Sequence, residues 1–142
     1  MLEFYAAFAT FKGTIDFTTR IILSASEAIG NSTQIEWDGD KIDLTSFQTK
    51  TLAELVLAEN AELSNEDLKN IETLRAFSSS MNISYKDSWG AGKILLEIFE
   101  KTVESKLIQP TFVTDYPVEV SPLSRRNNED PAIADRLSLI HI

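Results

Sequence analysis

Near the start of the chain, Glu3 and Tyr5 have residue types and a spacing that could bind a ligand. Residues i and i+2 of a strand share one face, so a carboxylate and a phenol would stand together among apolar neighbours. Such a pair suits the recognition of an ammonium group, because the carboxylate supplies charge and the phenol fixes direction. The pattern alone favours a different interpretation, in which Glu3 is solvated at a strand edge and Tyr5 packs in the core.

Asp115 and Glu119 form a second acidic pair, four residues apart. On a regular strand they would share a face, but Pro117 between them predicts a bend. The residues themselves favour a hydrogen-bonded loop carboxylate and a solvated side chain. A role in shaping the floor of a site is the alternative.

Two other groups of side chains have a possible binding role. Arg125-Arg126 could meet a phosphate or a partner subunit, although a solvated surface pair fits the pattern better. Trp37 and Trp89 are interpreted as packing residues rather than as platforms for stacked bases.

The composition excludes several classes of function. The 142 residues suit one domain, and their net charge of −9 argues against a nucleic-acid-binding surface. Without cysteine there is neither a disulfide nor a cysteine–zinc site, and the presence of a single histidine, His141, argues against histidine catalysis. We expect no membrane span and no secretory signal, and the lack of disulfides fits the cytosol.

The first half of the chain predicts a strand, a helix and a hairpin. Residues 1–11 carry four aromatic side chains and are interpreted as a buried strand that Gly13 ends. Residues 14–29 have helical periodicity, and Gly30-Asn31 can end that helix. Asp38-Gly39 between two alternating runs predicts a tight hairpin turn.

The second half predicts three helices and one strand. Residues 51–59 form a short helix, and Ser64 with Asp67 predicts a capped helix over residues 65–79. Asp87-Ser88 could cap a helix over residues 90–106, where the early Gly90 and Gly92 would permit close backbone approach. A strand begins at Thr111, and past Pro117 the chain should be irregular.

Two segments together resemble class II lysyl-tRNA synthetases. Leu107 to Arg126, LIQPTFVTDYPVEVSPLSRR, is similar to a late strand and loop of that catalytic domain, and the opening MLEFYAAFATF is similar to the end of its motif 2. The resemblance implies an α+β fold, in which helices 14–29 and 90–106 pack on part of a mainly antiparallel sheet. It assigns residues 1–136 to a partial catalytic domain and about 31–87 to a variable insertion.

The resemblance also gives Glu3 and Tyr5 a role. In the family, the matching glutamate and tyrosine line the lysine pocket and contact the substrate's amino groups, so both are expected to bind lysine, with Tyr5 near the side-chain amine. The parent enzyme would use lysine, ATP, Mg²⁺ and tRNA(Lys), act as a cytoplasmic homodimer and charge tRNA(Lys). No residue here is expected to be catalytic or to bind metal, since the motif arginines and the magnesium ligands should lie outside this segment. The isolated piece should therefore be inactive.

The last six residues, LSLIHI, depart from the family pattern. Family members continue a sequence like PAIADR into another core strand, whereas LSLIHI resembles a translated sequencing adapter. We therefore expect residues 137–142 to be non-native and exclude them from the fold. A genuine short tail is the alternative.

Two other functions stay open. A paralogue that joins a lysine derivative to elongation factor P shares the MLE-x-Y strand, so Glu3 and Tyr5 do not discriminate, although the stretch from Glu119 to Arg126 favours the tRNA enzyme. A non-catalytic interaction module derived from a synthetase is the second alternative.

Overall fold

The chain folds into two compact units that divide between Phe47 and Gln48. The computed structural model describes residues 4–30 and 33–140. The first unit contains α1 (Phe11–Ala28), β1 (Gln34–Trp37) and β2 (Asp40–Asp43). The second contains β3 (Gln48–Thr51), α2 (Leu52–Glu59), α3 (Ile71–Ser80), α4 (Ala91–Thr102), β4 (Thr111–Pro117) and β5 (Ile133–Ile140). The predicted α+β class is confirmed.

Helix α1 begins three residues before its predicted start. The Thr10 side chain accepts a hydrogen bond from the Gly13 backbone N–H at 3.1 Å, which satisfies one of the free donors of the first turn. Gly30, at φ +76°, follows the C-terminal end in the left-handed conformation, as predicted. Gly13 therefore lies inside the helix rather than ending a strand.

The predicted strand over residues 1–11 is wrong for residues 4–10, and residues 1–3 lie outside the described part. Residues 4–10 contain a turn, and Phe8 has a φ of +57°, which interrupts an extended chain. A strand is stable only when its backbone groups are paired, and none of the described strands pairs with this segment. Aromatic periodicity alone therefore did not produce a strand.

The predicted hairpin is confirmed. Strands β1 and β2 pair in antiparallel register, with Trp37 opposite Asp40. The two turn residues, Asp38 and Gly39, have φ of +49° and +87°. Positive φ at both positions is the geometry that matches the twist of the flanking strands.

The second unit contains a mixed sheet in the order β3–β4–β5. Strand β4 pairs parallel with β3 and antiparallel with β5. The strand beginning at Thr111 was predicted, but β5 was not, because the chain past Pro117 was predicted to be irregular. Pro131 in fact precedes the strand, where its missing N–H removes no ladder hydrogen bond.

Residues 137–140 belong to β5, so their exclusion from the fold was wrong. Leu137 pairs with Thr114, and Ile140 pairs with Thr111. In this strand residues 137–139 are half-buried and Ile140 is buried. Residues 141 and 142 lie outside the described part, and the expected non-native origin of residues 137–142 stays a prediction.

The capping residues determine where the helices of the second unit begin. Helix α2 begins as predicted, with a capping box between Thr51 and Glu54. The predicted helix over residues 65–79 starts only at Ile71, because Asn70 accepts hydrogen bonds from two backbone N–H groups and acts as its cap. Ser64 and Asp67 do bond each other at 2.6 Å, but they close a 3₁₀ turn, Asp67–Lys69.

The core of the second unit lies between its three helices and β4. Its fully buried members include Leu52, Leu74, Ile94, Ile98 and Val113. Asn60 is also buried, and its amide donates to the Val56 carbonyl at 2.8 Å and to the Thr102 hydroxyl at 3.1 Å. Each buried polar group of this pair is thus satisfied. None of the helices in the described part has the length and apolar character of a membrane span.

Candidate functional site

Tyr5 is the described member of the predicted lysine-binding pair. Its side chain is 90% exposed, and it lies before α1 in a segment without strand pairing. Nearby, the rings of Phe4 and Phe17 meet edge to face with centroids 4.8 Å apart. Glu3 lies outside the described residues, so the predicted pairing of Glu3 with Tyr5 stays a prediction.

Asp115 lies at an irregular position in β4. The register between β4 and β5 shifts between Thr114 and Tyr116, and Asp115 itself has a φ of +57°. An aspartate tolerates this left-handed conformation better than most residues do. The bulge turns Asp115 out of the ladder and toward a cavity of about 500 Å³ that it helps to line.

The surroundings of Asp115 disfavour its charge. Partial burial raises the pKa of the Asp115 carboxyl, and the negative charges of Asp135, Glu54 and Asp130 raise it further. No described residue forms a hydrogen bond or an ion pair with this carboxyl group. The interpretation of Asp115 as a hydrogen-bonded loop carboxylate is therefore wrong.

Glu119 is the N-terminal cap of α4. One carboxylate oxygen accepts from the Gly90 N–H at 2.8 Å, and the other accepts from the Gly92 and Lys93 N–H groups at 3.1 and 3.3 Å. These donors are the ones that a helix leaves unpaired in its first turn, and a negative charge there also suits the helix dipole. Glu119 is exposed, as the interpretation of a solvated side chain expected, but its carboxylate also has this capping role. Asp87-Ser88 does not provide the cap.

Gly90 and Gly92 make that contact possible. A Cβ at Gly90 would lie 2.5 Å from a Glu119 oxygen, and a Cβ at Gly92 would lie 2.6 Å from the Pro117 Cβ. The predicted close backbone approach at these glycines is confirmed. Asp115 and Glu119 therefore do not act as one pair: Asp115 faces the cavity, and Glu119 faces the amino end of α4.

Arg136 holds the loop after β4. Its Nη1 donates to the Val120 carbonyl at 3.2 Å and to the Ser121 hydroxyl at 3.0 Å. Its guanidinium also lies 4.6 Å from the centre of the Tyr116 ring, a distance typical of a cation–π contact. Burial raises the pKa of the Tyr116 hydroxyl.

The predicted surface pair Arg125-Arg126 is exposed and makes local contacts. Arg125 donates to the Asn128 side chain at 3.2 Å, and Arg126 donates to the Pro131 carbonyl at 3.4 Å. These bonds shape the loop before β5. They agree with the interpretation of a solvated surface pair.

The two tryptophans differ. Trp89 packs against the core, as predicted, and the Lys93 ammonium lies 5.1 Å from its ring centre. Trp37 is 74% exposed, so its interpretation as a packing residue is wrong within the described structure. Its position next to the hairpin turn places it at the tip of a two-stranded element, where few neighbours can cover it.

The link between Glu119 and α4 was not predicted, because Glu119 lies 26 to 29 residues along the chain from the three N–H groups that it accepts from. The available signal was a Gly-x-Gly helix start without a side-chain cap of its own. The backbone N–H groups at such a helix start need a hydrogen-bond acceptor from elsewhere in the chain. The bulge at Asp115 carried no comparable signal in the sequence.

Comparison with known proteins gives one consistent family. Residues 1–141 match the family described as tRNA synthetases class II (D, K and N). The lysine–tRNA ligase of Xanthomonas axonopodis pv. citri is 44% identical over 140 residues, which cover 98% of this chain and 28% of that protein. The lysine–tRNA ligases of Thioalkalivibrio sulfidiphilus and Psychromonas ingrahamii are 42% and 39% identical over 137 residues, covering 96% of this chain and 28% and 27% of their own length.

Proposed function

The chain belongs to the class II tRNA synthetases of the D, K and N group, and from that premise we propose that it is the lysine-holding part of a lysine–tRNA ligase. The observation that carries this proposal is the 44% identity over 98% of the chain to a lysine–tRNA ligase. The chain spans 28% of that relative's length. The activity is therefore proposed for the complete protein, with residues 1–136 as a partial catalytic domain and about 31–87 as its variable insertion.

The proposed reaction has two steps. The lysine carboxylate attacks the α-phosphate of ATP, which gives lysyl-adenylate and releases pyrophosphate. The lysyl group then passes to the terminal ribose of tRNA(Lys). Such chemistry depends on positioning and on the stabilisation of charge rather than on a protein nucleophile.

Glu3 and Tyr5 are the residues of this chain that we propose to bind lysine. The Glu3 carboxylate would pair with a substrate ammonium, and the Tyr5 hydroxyl would accept a hydrogen bond from the side-chain amine. The exposure of Tyr5 in the described residues leaves its ring accessible. This assignment rests on the MLEFY motif and on the family, since Glu3 is outside the described residues.

Mg²⁺ would supply charge neutralisation on the ATP phosphates in the complete enzyme. The residues described here do not fit such a site, because no three acidic or histidine side chains among them are grouped to hold a metal ion. On the family resemblance, we propose that the magnesium ligands and the arginines that bind ATP lie in the remainder of the protein. No step of the reaction is assigned to a metal held by this segment.

The isolated chain should not activate lysine, since it lacks those groups. We propose that the complete protein is a cytoplasmic homodimer, in line with the family resemblance. Both properties belong to the whole enzyme rather than to these 142 residues.

A chimaeric enzyme tests the proposal. Residues 1–140 would replace the matching segment of the Xanthomonas axonopodis ligase, and ATP–pyrophosphate exchange would be measured with lysine, aspartate and asparagine. We expect exchange with lysine only, and none with the isolated chain. Exchange with aspartate or asparagine instead of lysine, or exchange by the isolated chain, would contradict the proposal.

A further inference from the structure

The cavity beside Asp115 lies within the second unit and has a volume of about 500 Å³. It opens where the parallel strands β3 and β4 end, and the first turns of α2 and α4 form two of its sides. Concave sites of roughly 300 to 1,000 Å³ hold most small ligands, and ligands favour the carboxyl ends of parallel strands. This position and size suit a small organic molecule.

Most of the cavity wall is apolar. The side chains of Leu52, Leu68, Leu95 and Ile133 line it, together with Ala91 and Ala132. Leu52 and Leu68 also belong to the buried core, so their positions are fixed by packing. A ligand that covers this wall needs an apolar body.

The charged groups at the cavity favour a cation. Asp115 and Asp130 line it together with one cation, Lys69, which is exposed. The Asp130 side chain accepts a hydrogen bond from the Ala132 N–H at 3.0 Å, whereas no described residue bonds or pairs with the Asp115 carboxylate. Asp115 is thus the carboxylate available to a ligand.

The helix ends at the cavity do not offer an anion site. At α2, the Glu54 carboxylate accepts from the Thr51 N–H at 2.8 Å, and at α4 the Glu119 carboxylate accepts from three N–H groups. Both first turns already hold a negative side chain, so a second anion would meet repulsion. A neutral or cationic ligand is favoured over an anionic one.

We propose that this cavity binds a small organic amine, with its ammonium group on the Asp115 carboxylate and its apolar body against Leu52, Leu68 and Leu95. The described residues that line this cavity all belong to the second unit, whereas Tyr5 belongs to the first. Amine binding there does not depend on the proposed lysine–tRNA ligase activity. The ammonium group would give the Asp115 carboxylate the charged partner that it lacks.

Three probes with the same apolar body test this proposal on the 142-residue chain. They are 4-phenylbutylamine, 4-phenylbutan-1-ol and 4-phenylbutanoate, titrated into ¹⁵N-labelled protein while amide shifts are recorded. We expect the amine to shift the amides of Gly92, Asp115 and Ala132 and to bind about tenfold more tightly than the alcohol. The carboxylate should bind most weakly.

The variant Asp115→Asn separates charge from shape, since asparagine also accepts a left-handed backbone. It should reduce amine affinity to that of the alcohol and leave alcohol binding unchanged. The matched control Asp87→Asn removes an exposed aspartate outside the cavity and should change neither. Equal binding of amine and alcohol, amine binding that survives Asp115→Asn, or shifts confined to other residues would overturn the proposal.

Discussion

The Glu119 carboxylate spans the amino end of α4, with one oxygen 2.8 Å from the Gly90 nitrogen and the other 3.1 Å from the Gly92 nitrogen. Glu119 follows β4, so this contact ties the end of a central strand to the start of the helix that covers it. A single side chain thus replaces the local cap that Gly90 cannot provide. The same contact fixes one wall of the cavity at Gly92.

Replacing Glu119 with alanine should destabilise the second unit. The variant leaves three backbone N–H groups without their acceptor, and the loss of an N-cap costs about 0.5 to 2 kcal/mol. Urea denaturation monitored by circular dichroism measures the change in the free energy of unfolding. Glu119→Gln should fall between wild type and Glu119→Ala, because its amide retains one acceptor oxygen.

The matched control for this prediction is Glu62→Ala, which removes an exposed glutamate from a loop. It should change the free energy of unfolding by less than about 0.5 kcal/mol. If Glu119→Ala had no larger effect than this control, the cap would contribute nothing to stability.

Gly92→Ala should also destabilise the protein, although alanine normally favours a helix. At an unobstructed helical position the substitution would stabilise by about 0.4 to 1 kcal/mol. Here the new Cβ would meet the Pro117 Cβ at 2.6 Å and a Glu119 oxygen at 3.1 Å, and overpacking of this kind costs about 1 to 3 kcal/mol. The sign of the change in a thermal melt decides between the two effects, and a raised melting temperature would refute the close contact.

Asp115→Asn should stabilise the protein in a pH-dependent way. The folded-state pKa of Asp115 lies above its ordinary value of 3.8, so between these two values the folded state binds more protons than the unfolded state. Stability then falls as pH rises through that window, and asparagine does not titrate. The advantage of the variant should therefore be larger at pH 7 than at pH 4.

Urea midpoints of wild type and Asp115→Asn at both pH values measure this difference. Asparagine also tolerates the left-handed backbone at this position. Any free energy of unfolding that it adds for that reason is independent of pH, so it cancels when the two pH values are compared. An equal advantage at pH 4 and pH 7 would mean that the surroundings of Asp115 do not disfavour its charge.

Local signals in the sequence predicted the elements that local chemistry controls. The hairpin at Asp38-Gly39, the short helix after Thr51 and the strand from Thr111 each depend on residues close together in the chain. The glycines of α4 likewise indicated a close contact before its partner was known. In each case the residue type limits the backbone directly.

Elements that depend on distant partners were not predicted. Residues 4–10 have the aromatic content of a strand but lack a paired neighbour among the described residues. Conversely, residues 137–140 became the second half of β5 because β4 offers a hydrogen-bonding edge. The cap from Glu119 and the bulge at Asp115 depend in the same way on contacts that no local pattern encodes.

The proposed binding of lysine by Glu3 and Tyr5 can be measured as the KM for lysine in pyrophosphate exchange. In the chimaeric ligase that carries residues 1–140, Glu3→Gln and Tyr5→Phe should each raise this KM by about tenfold or more, since each removes a bond to a charged group. Glu36→Gln, an exposed glutamate of β1, serves as the control and should leave the KM unchanged. An unchanged KM for lysine in both Glu3→Gln and Tyr5→Phe would mean that neither residue binds lysine.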